Sequence, residues 1–294
     1  MRKKRLAAVF WLAALMVSLL SPPSQPGEAS EAAMDSAVSK SVRLPIIMYH
    51  SIQRDPRKAG KYIATEDQFK KDLTYLKKNG YETVVVKDLI DYVNELGPLP
   101  EKPVMITFDD GQYNALTYAL PILEELDMKA VLSIVGSYAD AASKNPDPNP
   151  DYGYLSWDDI RFLSESGYFE IQNHSYAMHS MTIRKGAMRK AGESAAVFCS
   201  TFNADVMKQQ QLLLEKCGVH ATTFVYPFGF ISPETKDCLT QLNFSASFSV
   251  YERVSLIQKG NPDCLFMLGR FNRSGKVSTN AFMKRLLSQD NTKR

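Results

Sequence analysis

Short apolar, β-branched runs alternate with amphipathic stretches from Leu44 to Arg294, and this alternation constrains the fold more than any other feature. Strand patterns fall at residues 44–48, 83–86, 104–108, 130–135, 169–171 and 222–226. Helical patterns lie between them. Thr65 and Gln68 make a capping box ahead of a Phe69, Leu73, Leu76 stripe that stops at Gly80. Ser156 and Asp159 open a second helix, with Ile160 and Leu163 facing inward and Gly167 as the stop. Ser232-Pro233-Glu234 supplies an N-cap, a proline at the first helical position and an acid in the first turn of a third. Strand and helix in strict turn require a parallel sheet, closed as a barrel or doubly wound. No glycine-rich phosphate loop follows any strand, which counts against nucleotide-binding versions.

The first 44 residues stand apart. Arg2, Lys3, Lys4 and Arg5 precede an uncharged run over 6–20 and then Ser21-Pro22-Pro23, the parts of a secretory signal. A bilayer span needs roughly 20 apolar residues, so an uncleaved anchor, with membrane association, is the lesser alternative. Residues 1–29 are therefore expected to be a signal, 30–44 a flexible linker poor in apolar residues, and 45–294 a single domain. Cutting after Ala29 removes four positive charges and one negative from a chain of formal charge +3, leaving it neutral. A neutral chain has no electrostatic footprint for nucleic acid. An extracytoplasmic, monomeric protein is expected.

Four cysteines, Cys199, Cys217, Cys238 and Cys264, are too few for a disulfide-built miniature scaffold. Cys217 and Cys238 fall on the apolar sides of their helices, near Leu213 and Leu242, and read as buried thiols; were all four bridged, three connectivities would be open. A chain this long buries roughly three quarters of its surface on folding, so a metal would serve chemistry rather than folding.

Thr107-Phe108-Asp109-Asp110-Gly111 follows the most convincing buried strand, where α/β barrels place catalytic groups. Turn chemistry alone explains one Asp and the Gly; two adjacent acids repel unless a cation offsets them. Asn173-His174-Ser175-Tyr176-Ala177-Met178-His179 holds two of the four histidines. With a carboxylate, such a pair is the usual donor set of a catalytic zinc. Positions five apart lie about 140° from each other on a helix, so His174 and His179 can share an ion only from a loop or bulged turn. His50 ends the first strand pattern. Tyr226-Pro227-Phe228-Gly229 ends the last, either as a plain turn or as a rigid oxyanion donor at Phe228 with Tyr226 beside the substrate. Trp157 is a core residue or a sugar-stacking ring at the rim. Arg184, Lys185, Arg189 and Lys190 form a basic patch, a solvated face or a contact for an anionic polymer. His220, in the turn before a strand, reads as solvated.

These three segments resemble, in order, the motifs of the polysaccharide deacetylases, the NodB homology domain of carbohydrate esterase family 4, over about residues 103–287. The resemblance implies a distorted (β/α)7 barrel, with Asp109 as general base and Asp110, His174 and His179 as ligands of one divalent ion, zinc or another transition metal. The family usually spaces its histidines four apart, carries an Arg before the Tyr-Pro-Phe-Gly segment, and draws its acid from a late His. This chain has five-residue spacing, Thr223-Phe224-Val225 with no Arg, and no His after His220. All three departures resemble the branch that de-N-acetylates poly-β-1,6-N-acetylglucosamine, where a first-strand His serves as acid; that position is His50 here. The implied function is hydrolysis of the acetamide of N-acetylglucosamine units in poly-N-acetylglucosamine or peptidoglycan, giving acetate and a free amine. Its rival is a catalytically silent envelope carbohydrate-binding protein, for which the missing Arg is the best argument. A peptidase or esterase using the same metal is a weaker third reading.

Overall fold

Residues 41–288 are described in a computed structural model of the chain, so the expected signal and most of the expected linker lie outside the described residues. The linker's last residues are not linker. Val42–Leu44 (β1) pairs antiparallel with Ser255–Ile257 (β11), and Leu44 is fully buried against Ile46 and Ile257.

The elements follow in the expected alternation. They are β2 (Ile46–Tyr49), β3 (Ser51–Gln53), β4 (Ile63–Thr65), α1 (Glu66–Lys78), β5 (Glu82–Thr83), α2 (Val86–Val93), β6 (Pro103–Phe108) and α3 (Leu120–Leu126). Then come β7 (Ala130–Ile134), α4 (Gly136–Lys144), α5 (Trp157–Glu165), β8 (Phe169–Asn173), α6 (Ala195–Cys217) and β9 (Thr223–Val225). The chain ends with α7 (Thr235–Gln241), β10 (Ala246–Phe248), β11, β12 (Phe271–Asn272) and α8 (Thr279–Leu286). Seven strands pair in the order β10, β9, β8, β7, β6, β2, β12, all parallel, with β5 joining the start of β6. The two edges approach each other through one short segment. Leu268 bridges to Phe248 of β10, and three residues later Phe271 pairs with Ile47 of β2. The curled sheet is thus the distorted barrel that the resemblance implied, one of the two forms the alternation allowed, sealed at its seam by residues 268–272.

Residues two apart on a strand share a face, and this sorts the core. Phe69, Leu73 and Leu76 of α1 pack with Ile106, Phe108, Leu132 and Ile160 between sheet and helices. Ile46, Met105, Val131 and Ala246 form a second layer with Val86 and Leu89 of α2. Further along the Met105 face of β6 come Thr107 and then Asp109, which follows the strand; both are buried and polar. The polar end coincides with the C-terminal ends of the strands.

Two local readings are corrected. The β-branched run 83–86 pairs only through Thr83, and Val86 opens α2. The carboxylates decide it: Asp88 accepts the Val85 N–H, and Glu170 of β8 accepts those of Val86 and Lys87, so three donors of a helix start are satisfied. The helix expected from Ser232 begins three residues later, at Thr235. Ser232 spends its hydroxyl on the Arg189 N–H at 2.7 Å, and so does not cap. Both predicted capping boxes, at Thr65 and Ser156, are formed. Among the described residues no helix is long and apolar enough to cross a membrane.

Candidate active site

Asp109 and Asp110 leave β6 in different directions because Asp110 takes a left-handed conformation, φ 74°, which an Asp tolerates better than most residues. The Asp109 N–H donates to the Tyr49 carbonyl at 3.1 Å, which fixes the end of β6 beside the end of β2 and hence beside His50. Asp110 turns instead toward the histidines: its Oδ1 lies 3.1 Å from His179 Nε2 and 3.4 Å from His174 Nε2.

Residues 174–179 form neither helix nor strand, as the five-residue spacing demanded. Ser175 is left-handed at φ 72°, and its N–H donates to the Asn173 side chain. Asp205, from the middle of α6, accepts the next two N–H groups, Tyr176 and Ala177, each at 2.8 Å. The Ser175 and Tyr176 carbonyls meet the N–H groups of Gly136 and Ser137 at the start of α4. A Cβ at Gly136 would lie 2.8 Å from the Tyr176 ring of the loop and 1.9 Å from Gln209 Oε1, so any larger residue would push both aside.

His174 Nδ1 lies 2.8 Å from the Val225 carbonyl, an acceptor only, so this nitrogen carries the proton and Nε2 presents a lone pair. His179 Nδ1 meets the Tyr138 hydroxyl at 3.0 Å, again leaving Nε2 inward. Asp110 Oδ1 is buried and receives no hydrogen bond. Three electron-pair donors, all within 4.8 Å of one another, therefore face a common point. Lone pairs so placed repel unless a cation lies between them; two imidazoles and a carboxylate with an open side are the donors of a catalytic zinc-type site.

Asp109 is 3% exposed, and its partner is the residue the sequence reading missed. Arg270, fully buried, donates Nη1 to Oδ1 at 2.7 Å and Nη2 to Oδ2 at 2.8 Å. Its remaining donors reach the Thr107 hydroxyl and the Ser249 carbonyl. Burial by itself raises the Asp109 carboxyl, but the Arg270 guanidinium, joined by His174 and His50, holds the group below the usual carboxylate range. The arginine missing before Tyr226 is absent there, as read, but Asp109 has a guanidinium partner all the same: it comes from the seam, 161 positions along the chain. A Leu-Gly-Arg-Phe-Asn-Arg stretch with two charges inside an apolar run was the available signal.

A cleft of about 900 Å³ opens over these groups, bordered by His50, Asp109, Asp110, His174, His179, Tyr226 and Phe228. Burial lowers the His50 imidazole, against the opposing pull of Asp109 and Asp110. The exposed rings of Tyr62, Tyr152 and Phe228 stand along the cleft. Phe228 is left-handed at φ 57°, and its ring lies 4.3 Å from that of His179. Gly229 cannot be replaced there, since a Cβ would meet Val250 at 2.2 Å. A groove of similar volume, about 930 Å³, between α1 and α8 contains none of these groups.

Other expected residues fall elsewhere. Trp157 is buried, its indole N–H bonded to Asp140, and does not border the cleft. Tyr226 borders the cleft but turns its hydroxyl to Thr235. Two cations of the basic patch are ion-paired, Arg184 with Glu193 and Arg189 with Glu234. His220 is exposed in the segment before β9, away from the site.

The polysaccharide deacetylase sequence profile matches residues 96–247, 152 of the 294 residues. The poly-β-1,6-N-acetyl-D-glucosamine N-deacetylase of Escherichia coli is 24% identical over 223 residues, covering 69% of this chain and 33% of that protein. The enzyme of the same name from Staphylococcus epidermidis is 21% identical over 209 residues, covering 71% and 68%. This chain therefore spans only a third of the first relative and about two thirds of the second. In three dimensions, a de-N-acetylase from Aggregatibacter actinomycetemcomitans superposes with a TM-score of 0.70 at 22% identity, over 84% of this chain and 100% of that one. With its paired carboxylates, histidine loop and curled parallel sheet, the chain belongs to the polysaccharide deacetylase family, hydrolases of N-acetyl amide bonds.

Proposed function

We propose that this chain is an exported, metal-dependent N-deacetylase of poly-β-1,6-linked N-acetylglucosamine. The observation that carries the reading is the pairing, 3 Å-scale contact by contact, of a three-donor cation site with an adjacent aspartate that Arg270 keeps ionised. Asp110, His174 and His179 are the residues to hold one divalent ion, of zinc type by its donor set. When bound, such an ion polarises the acetyl carbonyl and makes water easier to deprotonate.

The chain's own residues account for the remaining steps. Each Asp109 oxygen accepts one Arg270 bond and keeps a second lone pair, so Asp109 can take the proton of the water that attacks the acetyl carbon. The Phe228 N–H, in a turn stiffened by Pro227 and Gly229, donates to the developing oxyanion. His50, which borders the same cleft, delivers a proton to the amide nitrogen as the C–N bond breaks, a contribution of roughly 10²–10⁴-fold. Acetate leaves, and the polymer keeps a glucosamine unit with a free amine. Tyr62, Tyr152 and Phe228 offer flat apolar faces to sugar rings. Arg270 removes the best argument for a silent carbohydrate-binding protein, because a binder has no use for a braced base.

Acetate release tests the proposal. The chain should deacetylate poly-β-1,6-N-acetylglucosamine faster than peptidoglycan, and exhaustive chelation should abolish release while the circular dichroism spectrum stays unchanged. Release that survives chelation in metal-free protein would sink the metal assignment; preference for peptidoglycan would sink the substrate.

A further inference from the structure

The geometry points to Cys199 and Cys238 as a redox pair that closes to a disulfide under oxidising conditions. Cys199 lies in the second turn of α6 and Cys238 in the middle of α7. Their sulfurs are 2.9 Å apart, inside the usual separation of unbonded sulfurs and about 0.9 Å beyond a disulfide bond. The other two thiols are occupied differently: Cys217 donates to the Trp157 carbonyl, and Cys264 faces the backbone of Gln258. Of the six pairs that four cysteines allow, the fold brings together one.

The two sulfurs differ in a way that orders the reaction. Cys238 is buried at 2% exposure, and burial, reinforced by the neighbouring Cys199, pushes its thiol up to about 12. Cys199 is partly exposed and so is the attacking group. Its thiolate attacks the disulfide of an oxidant such as oxidised glutathione, expelling one thiolate and forming a mixed disulfide. The Cys238 sulfur gives up its proton, attacks the Cys199 sulfur and expels the second thiol. Two electrons and two protons pass from the pair to the oxidant.

The bond would bracket a functional stretch. Between the two cysteines lie Asp205, which shapes the histidine loop, and the turn that carries Phe228. Closing a loop of 39 positions restricts the unfolded chain and stabilises the folded one. Outside the cytoplasm, where the proposed export would place the chain, disulfides persist; the chemistry itself does not depend on export.

The test uses the full chain, reduced and then equilibrated with oxidised glutathione, trapped by alkylation and mapped as peptides. The Cys199 and Cys238 peptides should be recovered joined, two hydrogens lighter, with Cys217 and Cys264 alkylated. The melting temperature should rise by roughly 4–15 °C on oxidation, and Cys199→Ser or Cys238→Ser should each abolish that rise. Recovery of Cys199 and Cys238 both alkylated after equilibration, or joined to other cysteines, would overturn the assignment. Acetate release, which tests the proposed function, is read separately.

Discussion

In the proposed mechanism Arg270 and His50 stand at opposite ends of the proton traffic, and each can be examined alone. In the intact site the guanidinium holds the Asp109 carboxyl low although burial raises it. Replacing Arg270 by Met removes the strongest group opposing burial and leaves only His174 and His50, so Asp109 should keep its proton to higher pH. The acid limb of kcat/KM should then move upward, with activity at pH 7 lower by roughly 10²-fold. Arg270→Lys keeps the charge but loses the fork, and should fall between. An acid limb that stays in place would show that Arg270 is structural only. For the other proton, His50→Ala should lower kcat by roughly 10²–10⁴-fold with metal content unchanged. His220, exposed at the other end of the barrel, should be silent as Ala. Normal turnover in His50→Ala would give the acid role to water or another group.

At the scale of elements, Asp205 shows how a helix can shape a candidate metal site without belonging to it. Its two oxygens accept consecutive N–H groups of the histidine loop, and that bend lets residues five apart converge. Asp205→Ala should lower metal affinity by roughly 10–100-fold, read by titration calorimetry of the metal-free protein, with secondary structure retained; unchanged affinity would mean the loop holds its shape unaided. Asp205 also marks the limit of what was legible beforehand. Capping boxes are written within four residues, and those at Thr65 and Ser156 formed as read. The strand ends bearing His50, Asp109, Asp110 and His174 were legible too, because a buried strand that stops in polar residues places them at the barrel's rim. What sequence could not show depends on distant partners: Glu170 turning Val86 from strand to helix, Arg189 claiming the Ser232 hydroxyl, Asp140 fixing Trp157 in the interior. Arg270 is the extreme case, since nothing local in residues 268–272 says that they cross the barrel's seam.

For the whole molecule the seam raises a question of stability, since it places two arginines, Arg270 and Arg273, in the interior. Arg273 is paired with Asp72 of α1, and neither side chain is exposed. Asp72 also accepts the Tyr49 hydroxyl at 2.8 Å and the Thr279 hydroxyl at 2.7 Å, so one carboxylate joins β2, α1, the segment after β12, and α8. Tyr49 precedes His50, and Arg273 follows the strand that Arg270 enters, so this knot supports both ends of the site. A buried ion pair is expensive to form and more expensive to break: removing one partner leaves a bare charge and costs about 3–5 kcal/mol, whereas replacing both with apolar groups is often neutral. Asp72→Leu and Arg273→Met should each lower the melting temperature by roughly 6–20 °C. The double variant should melt above either single one, because it strands no charge. A double variant that melts below both would show that the hydrogen bonds to Tyr49 and Thr279, rather than the uncompensated charge, are what the fold loses.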